Sequence, residues 1–190
     1  MQEAASIVQL DMSVNCNYNG KRELIGLHVG DHNEAWIKAV RLGYKMHSTP
    51  SLSKKADIVI VNAYPQADQG IDWGGAQESL REGGTAIGIH HFPLGRAYLH
   101  YRSERIEKQW RRLQGYPEKR WPVKQAKNII VFTDKLSKGH MLEYHDRVEW
   151  LMNWEEISEK LKKLHGEEAR VAVYPYGKIQ FNPTRFPLII

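Results

Sequence analysis

The chain has 190 residues, 42% apolar and 26% charged, with a net charge of +5 and nine histidines besides. That is ordinary globular usage at a length that can bury a full α/β core, so wholesale disorder is excluded. No apolar run reaches the ~18–20 residues of a membrane span, and a single cysteine, Cys16, excludes an intrachain disulfide.

Gln2–Ser6 is neither basic nor followed by an apolar core, so no signal peptide is expected. With one unpaired thiol, the expected compartment is the cytoplasm. Ser6–Val14 (SIVQLDMSV) alternates with period two and reads as a half-buried strand, with Val8, Leu10, Met12 and Val14 on one face. A chain that opens directly on a strand reads as a fragment or as one half of a larger architecture. Asn19-Gly20 signals a hairpin, and Glu23–Val29 is the returning strand. Asp31 and Glu34 form a capping box ahead of a helix whose stripe is Ala35, Trp36, Ala39, Val40 and Gly43.

Ile58–Val61 is an uninterrupted apolar run, the mark of a strand covered on both faces. Gly74–Arg81 reads as a short helix closed by Gly83-Gly84, and Thr85–Ile89 as the next buried strand. Arg96–Leu113 is a helix candidate. Asn128–Thr133 and Arg170–Tyr174 supply two more strands, separated by a helix that Asn153 and Glu156 cap and Gly166 ends. Lys178–Phe181 is expected to pair beside the last strand. The expected fold is one α/β domain over residues 1–190, with a mixed, mostly parallel sheet, flanking helices and an N-terminal antiparallel hairpin.

Chemistry concentrates in two loops that leave the carboxyl ends of adjacent apolar runs, where open α/β sheets bind ligands. Asn62–Asp72 offers Tyr64, Asp68, Gln69 and Asp72, with Trp73 behind them. His90–Arg96 offers His90, His91 and Arg96. Imidazole changes charge near neutral pH, and a guanidinium clamps a carboxylate with two parallel bonds. Adjacent histidines in extended backbone point to opposite sides, so no metal site is expected. His140 and His145, five apart, do not share a helix face. No phosphate-binding glycine loop and no nucleophile elbow is present. Over Arg96–Lys127 ten Lys/Arg face three Glu, a local +7 interleaved with Tyr and Trp. That surface is the rival signal, a non-catalytic module for an anionic partner such as nucleic acid.

The succession GDHNEAWIKAVRLGYKM, KKADIVIVNAYPQADQGIDW and REGGTAIGIHH resembles the C-terminal domain of the nickel-dependent lactate racemase family. The resemblance spans roughly Val8–Gly95. It implies a two-domain α/β enzyme that inverts the carbon bearing the hydroxyl of a 2-hydroxy acid. It also implies that the nickel-pincer nucleotide and the catalytic residues lie on a separate N-terminal domain. This chain would then carry no cofactor and no metal, supply no catalytic residue, and close over the substrate with Tyr64, Asp68, Gln69, Asp72, Trp73, His90, His91 and Arg96. The chain departs from the family pattern at Asp72, Trp73 and Ala76, where a Tyr-Gln pair and a later Lys are expected. A cation facing the substrate carboxylate is therefore missing at that place. The expected partners are the N-terminal domain or subunit and a small hydroxy acid, with neither nucleic acid nor membrane.

Overall fold

Alternation along the apolar runs decides the architecture. In the computed structural model, the described residues are 7–8, 10–50, 52, 54–65, 70–91, 109, 112–113, 115, 119–135 and 144–188. They divide into two compact units, residues 1–50 with 179–190 and residues 51–178. The expected helix Arg96–Leu113 falls almost wholly outside the described residues, as does most of the basic stretch.

In the first unit, β1 (Ser13–Tyr18) and β2 (Leu24–Gly30) pair antiparallel, with Val14 opposite Val29 and Cys16 opposite Leu27. They form a two-stranded sheet of their own. Helix α1 (His32–His47) follows, its N-cap Asp31 accepting the backbone N–H of Asn33 and Glu34 at 3.0 Å each. The strand starts at Ser13 rather than Ser6, and Ile7 and Val8 are helical. Its phase also differs from the expectation. Ser13, Asn15 and Asn17 lie on the more buried face, while Val14, Cys16 and Tyr18 face outward. The polar face is held by hydrogen bonds to helix carbonyls, Asn17 Nδ2 to Ala39 O at 3.0 Å and Ser13 Oγ to His32 O at 3.4 Å. The turn is longer than an Asn-Gly pair. Asn19 and Glu23 close it, and Arg22 takes the left-handed conformation.

In the second unit, β3 (Ala56–Asn62), β4 (Leu80–Ile89), β5 (Asn128–Phe132), β6 (Glu149–Leu151) and β7 (Val171–Tyr174) form one sheet in the order β6-β5-β4-β3-β7, every pair parallel. Val59, Val61, Ala86, Ile129, Val131 and Ala172 bury one face with Trp73, Ala76 and Leu80. Ile58, Ile87 and Ile130 bury the other against Ile157. Ala76 lies on helix α2 (Gly74–Ser79) and Ile157 on helix α3 (Trp154–His165), so the two helices cover opposite faces. Such double coverage is why these strands read as continuous apolar runs. Asn153 caps α3 through the N–H groups of Glu155 and Glu156, and Gly166, with φ +74°, ends it.

Two expectations are corrected here. Gly83-Gly84 does not close a helix, because α2 ends at Ser79 and Leu80 is already extended. Gly84 sits where a Cβ would lie 2.7 Å from the Asp57 carbonyl, so the residue admits a close approach of β4 to β3. Residues 175–179 are turns, and Phe181 bridges Ser48 in the first unit rather than extending the sheet beside β7. Among the described residues no helix is long and apolar enough to cross a membrane.

The amino end of this sheet is a polar lock. Thr85, fully buried, hydrogen-bonds His165 Nε2 through its hydroxyl at 2.7 Å. Arg81 pairs with Asp57, and the Arg170 N–H donates to the same carboxylate at 2.9 Å. These bonds, Arg81 first, hold Asp57 below the usual carboxylate range. Burial, then the Arg81 cation, pushes His165 below the ordinary imidazole value against the pull of Asp57. An imidazole with a depressed folded pKa is protonated first in the unfolded chain. Its contribution is complete above the unfolded value of about 6.5 and declines as pH falls toward the folded value. The lowered carboxylates Asp31, Asp57 and Asp146 start from 3.8 and act only in more acid solution. The urea midpoint is therefore expected to fall from pH 8 to pH 5, and His165→Gln to reduce that fall. An equal fall in the variant would show that another group governs it.

Candidate functional site

Chain order and strand order disagree at β3. From β3 the chain steps to β4, β5 and β6 on one side, then returns to β7 on the other side of β3. Ligands of open α/β sheets bind beyond the carboxyl ends of strands at such a reversal. Here the loops after β3 and β7 meet. The Tyr64 and Tyr176 rings are 6.0 Å apart with planes inclined at 50°. Both are half-buried.

Local bonds fix each loop. Asn62 Oδ1 accepts the Tyr64 N–H at 3.0 Å, turning the chain as soon as β3 ends. Gly177 N–H donates to the Asn62 carbonyl at 3.0 Å, tying the β7 loop to the same residue. A Cβ at Gly177 would lie 2.5 Å from Val61 Cγ1 and 2.9 Å from the Asn62 carbonyl oxygen, so only glycine allows this approach. The loop after β4 lies directly beside. Asn62 pairs with Ile89, and the Ala63 N–H donates to the Ile89 carbonyl at 2.9 Å. The two loops singled out in the sequence thus start side by side.

Each expected site residue has a definite place where it is described. Tyr64 lines the reversal. Asp72 is exposed, and its Oδ1 accepts the Gly74 N–H at 2.9 Å at the start of α2. Trp73 is only 4% exposed. Its Nε1 donates to the Tyr144 hydroxyl at 3.3 Å, and its ring lies where a Cβ on Gly88 would meet it at 2.8 Å. Trp73 is built into the core beneath the loops. His90 is 3% exposed and its backbone N–H extends the ladder to the Phe132 carbonyl. His91 is exposed, and its Nδ1 lies 2.9 Å from Asp134 Oδ2 in the loop after β5. Holding Nδ1 orients a ring that is largely in solvent, as an imidazole that meets a ligand through its other nitrogen must be. Asp68, Gln69 and Arg96 lie outside the described residues.

Tyr176, Gly177 and Asp134 were not among the expected site residues. Their signal was positional, since Pro175-Tyr176-Gly177 and Thr133-Asp134 each follow an apolar run. It becomes readable once β7 is known to lie beside β3 and β5 beside β4. Of the described part of the basic stretch, Lys119, Arg120 and Trp121 are engaged within the fold, while Arg112, Lys124 and Lys127 are exposed. Lys119 pairs with Asp146, the Arg120 guanidinium lies 5.0 Å from the Tyr144 ring centroid, and Trp121 Nε1 donates to the Ala126 carbonyl.

Among solved structures, the chain is similar to the lactate racemase apoprotein from Thermoanaerobacterium thermosaccharolyticum, with a TM-score of 0.60 and 16% identity. The likeness is one of fold. It covers 95% of this chain and 48% of that one. A protein from Thermotoga maritima aligns at a TM-score of 0.44 and 14% identity, over 87% of this chain and 47% of its own. The chain therefore spans about half the length of the solved structures it matches. No protein-family model and no curated protein matches the sequence.

Gly177→Ala is expected to push the β7 loop off Asn62, at an overpacking cost of about 1–3 kcal/mol. For a chain of this size that lowers the thermal midpoint by about 2–10 °C. The Tyr64 and Tyr176 ring resonances should shift together. Unshifted rings at an unchanged midpoint would mean that the approach is not tight.

Proposed function

We propose that this chain is the substrate-enclosing domain of a racemase- or epimerase-like protein acting on a 2-hydroxy acid, and that it is inactive without a separate cofactor-bearing domain. One observation carries the reading: within a fold similar to half of a lactate racemase, the loops after β3, β4 and β7 start side by side at the reversal of the sheet. A small hydroxy acid needs a partner for its carboxylate and another for its hydroxyl, with little room for water. The Tyr64 and Tyr176 hydroxyls and His91 braced by Asp134 are suited to those roles. Asp68, Gln69 and Arg96 complete the ligand set in this proposal, Arg96 as the carboxylate clamp. Trp73 and His90 support the loops from below.

Among the described residues no three His, Cys, Asp or Glu side chains gather as a metal site requires. A nickel centre does not fit them. In the proposal the nickel-pincer nucleotide belongs to the other domain, and this chain binds, orients and shields the substrate. The cytoplasm is its proposed compartment.

The test is a titration of the full chain with lactate and larger 2-hydroxy acids against the corresponding acids lacking the hydroxyl, followed by NMR. A hydroxy acid should bind measurably tighter than its deoxy counterpart, with shifts confined to residues following β3, β4 and β7. Tyr64→Ala and Tyr176→Ala should each weaken binding by about 5- to 10-fold, the worth of one hydrogen bond with its packing. Equal binding of both acids, or shifts centred on the amino end of the sheet, would sink the reading. So would racemisation by the chain alone, as regards its dependence on a second domain.

A further inference from the structure

The hairpin of the first unit turns its apolar face to water. Hydrogen bonds from Asn17 Nδ2 to Ala39 O and from Ser13 Oγ to His32 O set the phase of β1, so Val14, Cys16 and Tyr18 point away from α1. On β2, Leu24, Leu27 and Val29 lie beside them, with Leu27 across from Cys16 at the middle of the face. Val14, Tyr18, Leu24, Leu27 and Val29 are each 52–60% exposed. No Asp, Glu, Lys or Arg stands within either strand. Charge lies at the two ends instead, with Lys21 and Arg22 exposed at the turn and Asp11 and Asp31 exposed at the open end. Glu23, the acid at the turn, accepts the Asn19 side-chain amide at 2.7 Å. A two-stranded sheet is marginal in water, and an apolar face of this extent marks an interaction site.

We infer that two copies of the chain pair through this face, across a two-fold axis that passes through the Cys16–Leu27 pair at right angles to the strands. Area is sufficient. At about 150–200 Å² of surface per residue, the five half-exposed side chains leave roughly 400–550 Å² in water. Leu10 and Met12, 46% and 54% exposed just before β1, raise this to roughly 550–750 Å². Two such faces bury roughly 1,100–1,500 Å² together, which reaches the range of about 1,200–2,000 Å² for stable interfaces. Charge selects the second copy and its direction. The axis reverses the strands, so the turn of one copy lies over the open end of the other. Lys21 and Asp11 each stand five positions from Cys16, so Lys21 of one copy falls over Asp11 of the other, and Arg22 falls toward Asp31. The same contacts recur on the other side of the axis, as an isologous interface requires. An axis parallel to the strands would set turn on turn and oppose like charges. The uncharged middle is the composition of an interface core, and the oppositely charged ends fix the register.

The full chain is followed by sedimentation over a range of concentrations, and a dimer is expected. Cys16 is exposed and is the chain's only cysteine, so a short bis-maleimide should join two chains at that residue. Leu27→Lys should weaken the dimer at least ~10-fold. Leu27 is half in solvent, so circular dichroism of that variant should match wild type. At low salt Lys21→Glu and Asp11→Lys should each weaken the dimer about 3- to 10-fold, because each acts twice across the axis. The two changes together should restore it, an outcome that loss of folding cannot imitate. A chain that stays monomeric would overturn the inference, in favour of a different protein if cell extract slows Cys16 alkylation. So would a dimer that Leu27→Lys leaves intact, or one that Cys16 does not cross-link and the charge exchange does not rescue.

Discussion

Strand β3 is hydrogen-bonded on both edges, to β4 on one and β7 on the other, and the second unit is arranged around that fact. Because both neighbours run parallel to it, all three strands end at the same side, and their loops emerge together. Because β7 arrives only after the chain has wound through β4, β5 and β6, the loop after β7 meets the loop after β3 with no strand between them. The Asn62 carbonyl, at the last residue of β3, accepts the Gly177 N–H and so joins the two loops directly. Remove β7 and the reversal disappears, leaving Tyr64 facing an open sheet edge.

Coverage of both sheet faces made the strands legible. Runs such as Ile58–Val61 and Asn128–Thr133 carry their assignment in composition alone, because neither face has to be polar. The caps at Asp31 and Asn153 were legible for an equally local reason, a short side chain reaching an N–H two or three residues on. What stayed hidden depends on partners distant in sequence. β6 is three residues long and exists because β5 offers an edge. Gly83 and Gly84 look like a helix stop from their neighbours, yet they serve the approach of β4 to β3. In the hairpin the period of two was plain while its phase was not, since nothing local reveals that Ser13 and Asn17 hydrogen-bond α1 carbonyls and thereby send Val14 and Tyr18 outward.

The site divides along the same line. Polar loops after apolar runs were enough to single out Tyr64 and His91, because such loops are surface features of a predictable kind. The sequence could not separate the loop residues that are exposed from those buried beneath them. Trp73 sits next to Asp72 in the chain, yet one is core and the other is in solvent. Asp134 needed the ordering of β4 beside β5 before it could be paired with His91, and Tyr176 needed that of β7 beside β3.

Residues 171–188 finish both units. Val171–Tyr174 fill the open edge of β3, more than a hundred positions earlier. Phe181 pairs with Ser48, packs its ring 5.1 Å from that of Tyr44, and takes the Thr49 N–H at 2.8 Å. During synthesis, then, neither unit can close until this stretch has left the ribosome. Until that moment β3 presents a bare, strongly apolar edge of the kind that invites pairing with another nascent chain.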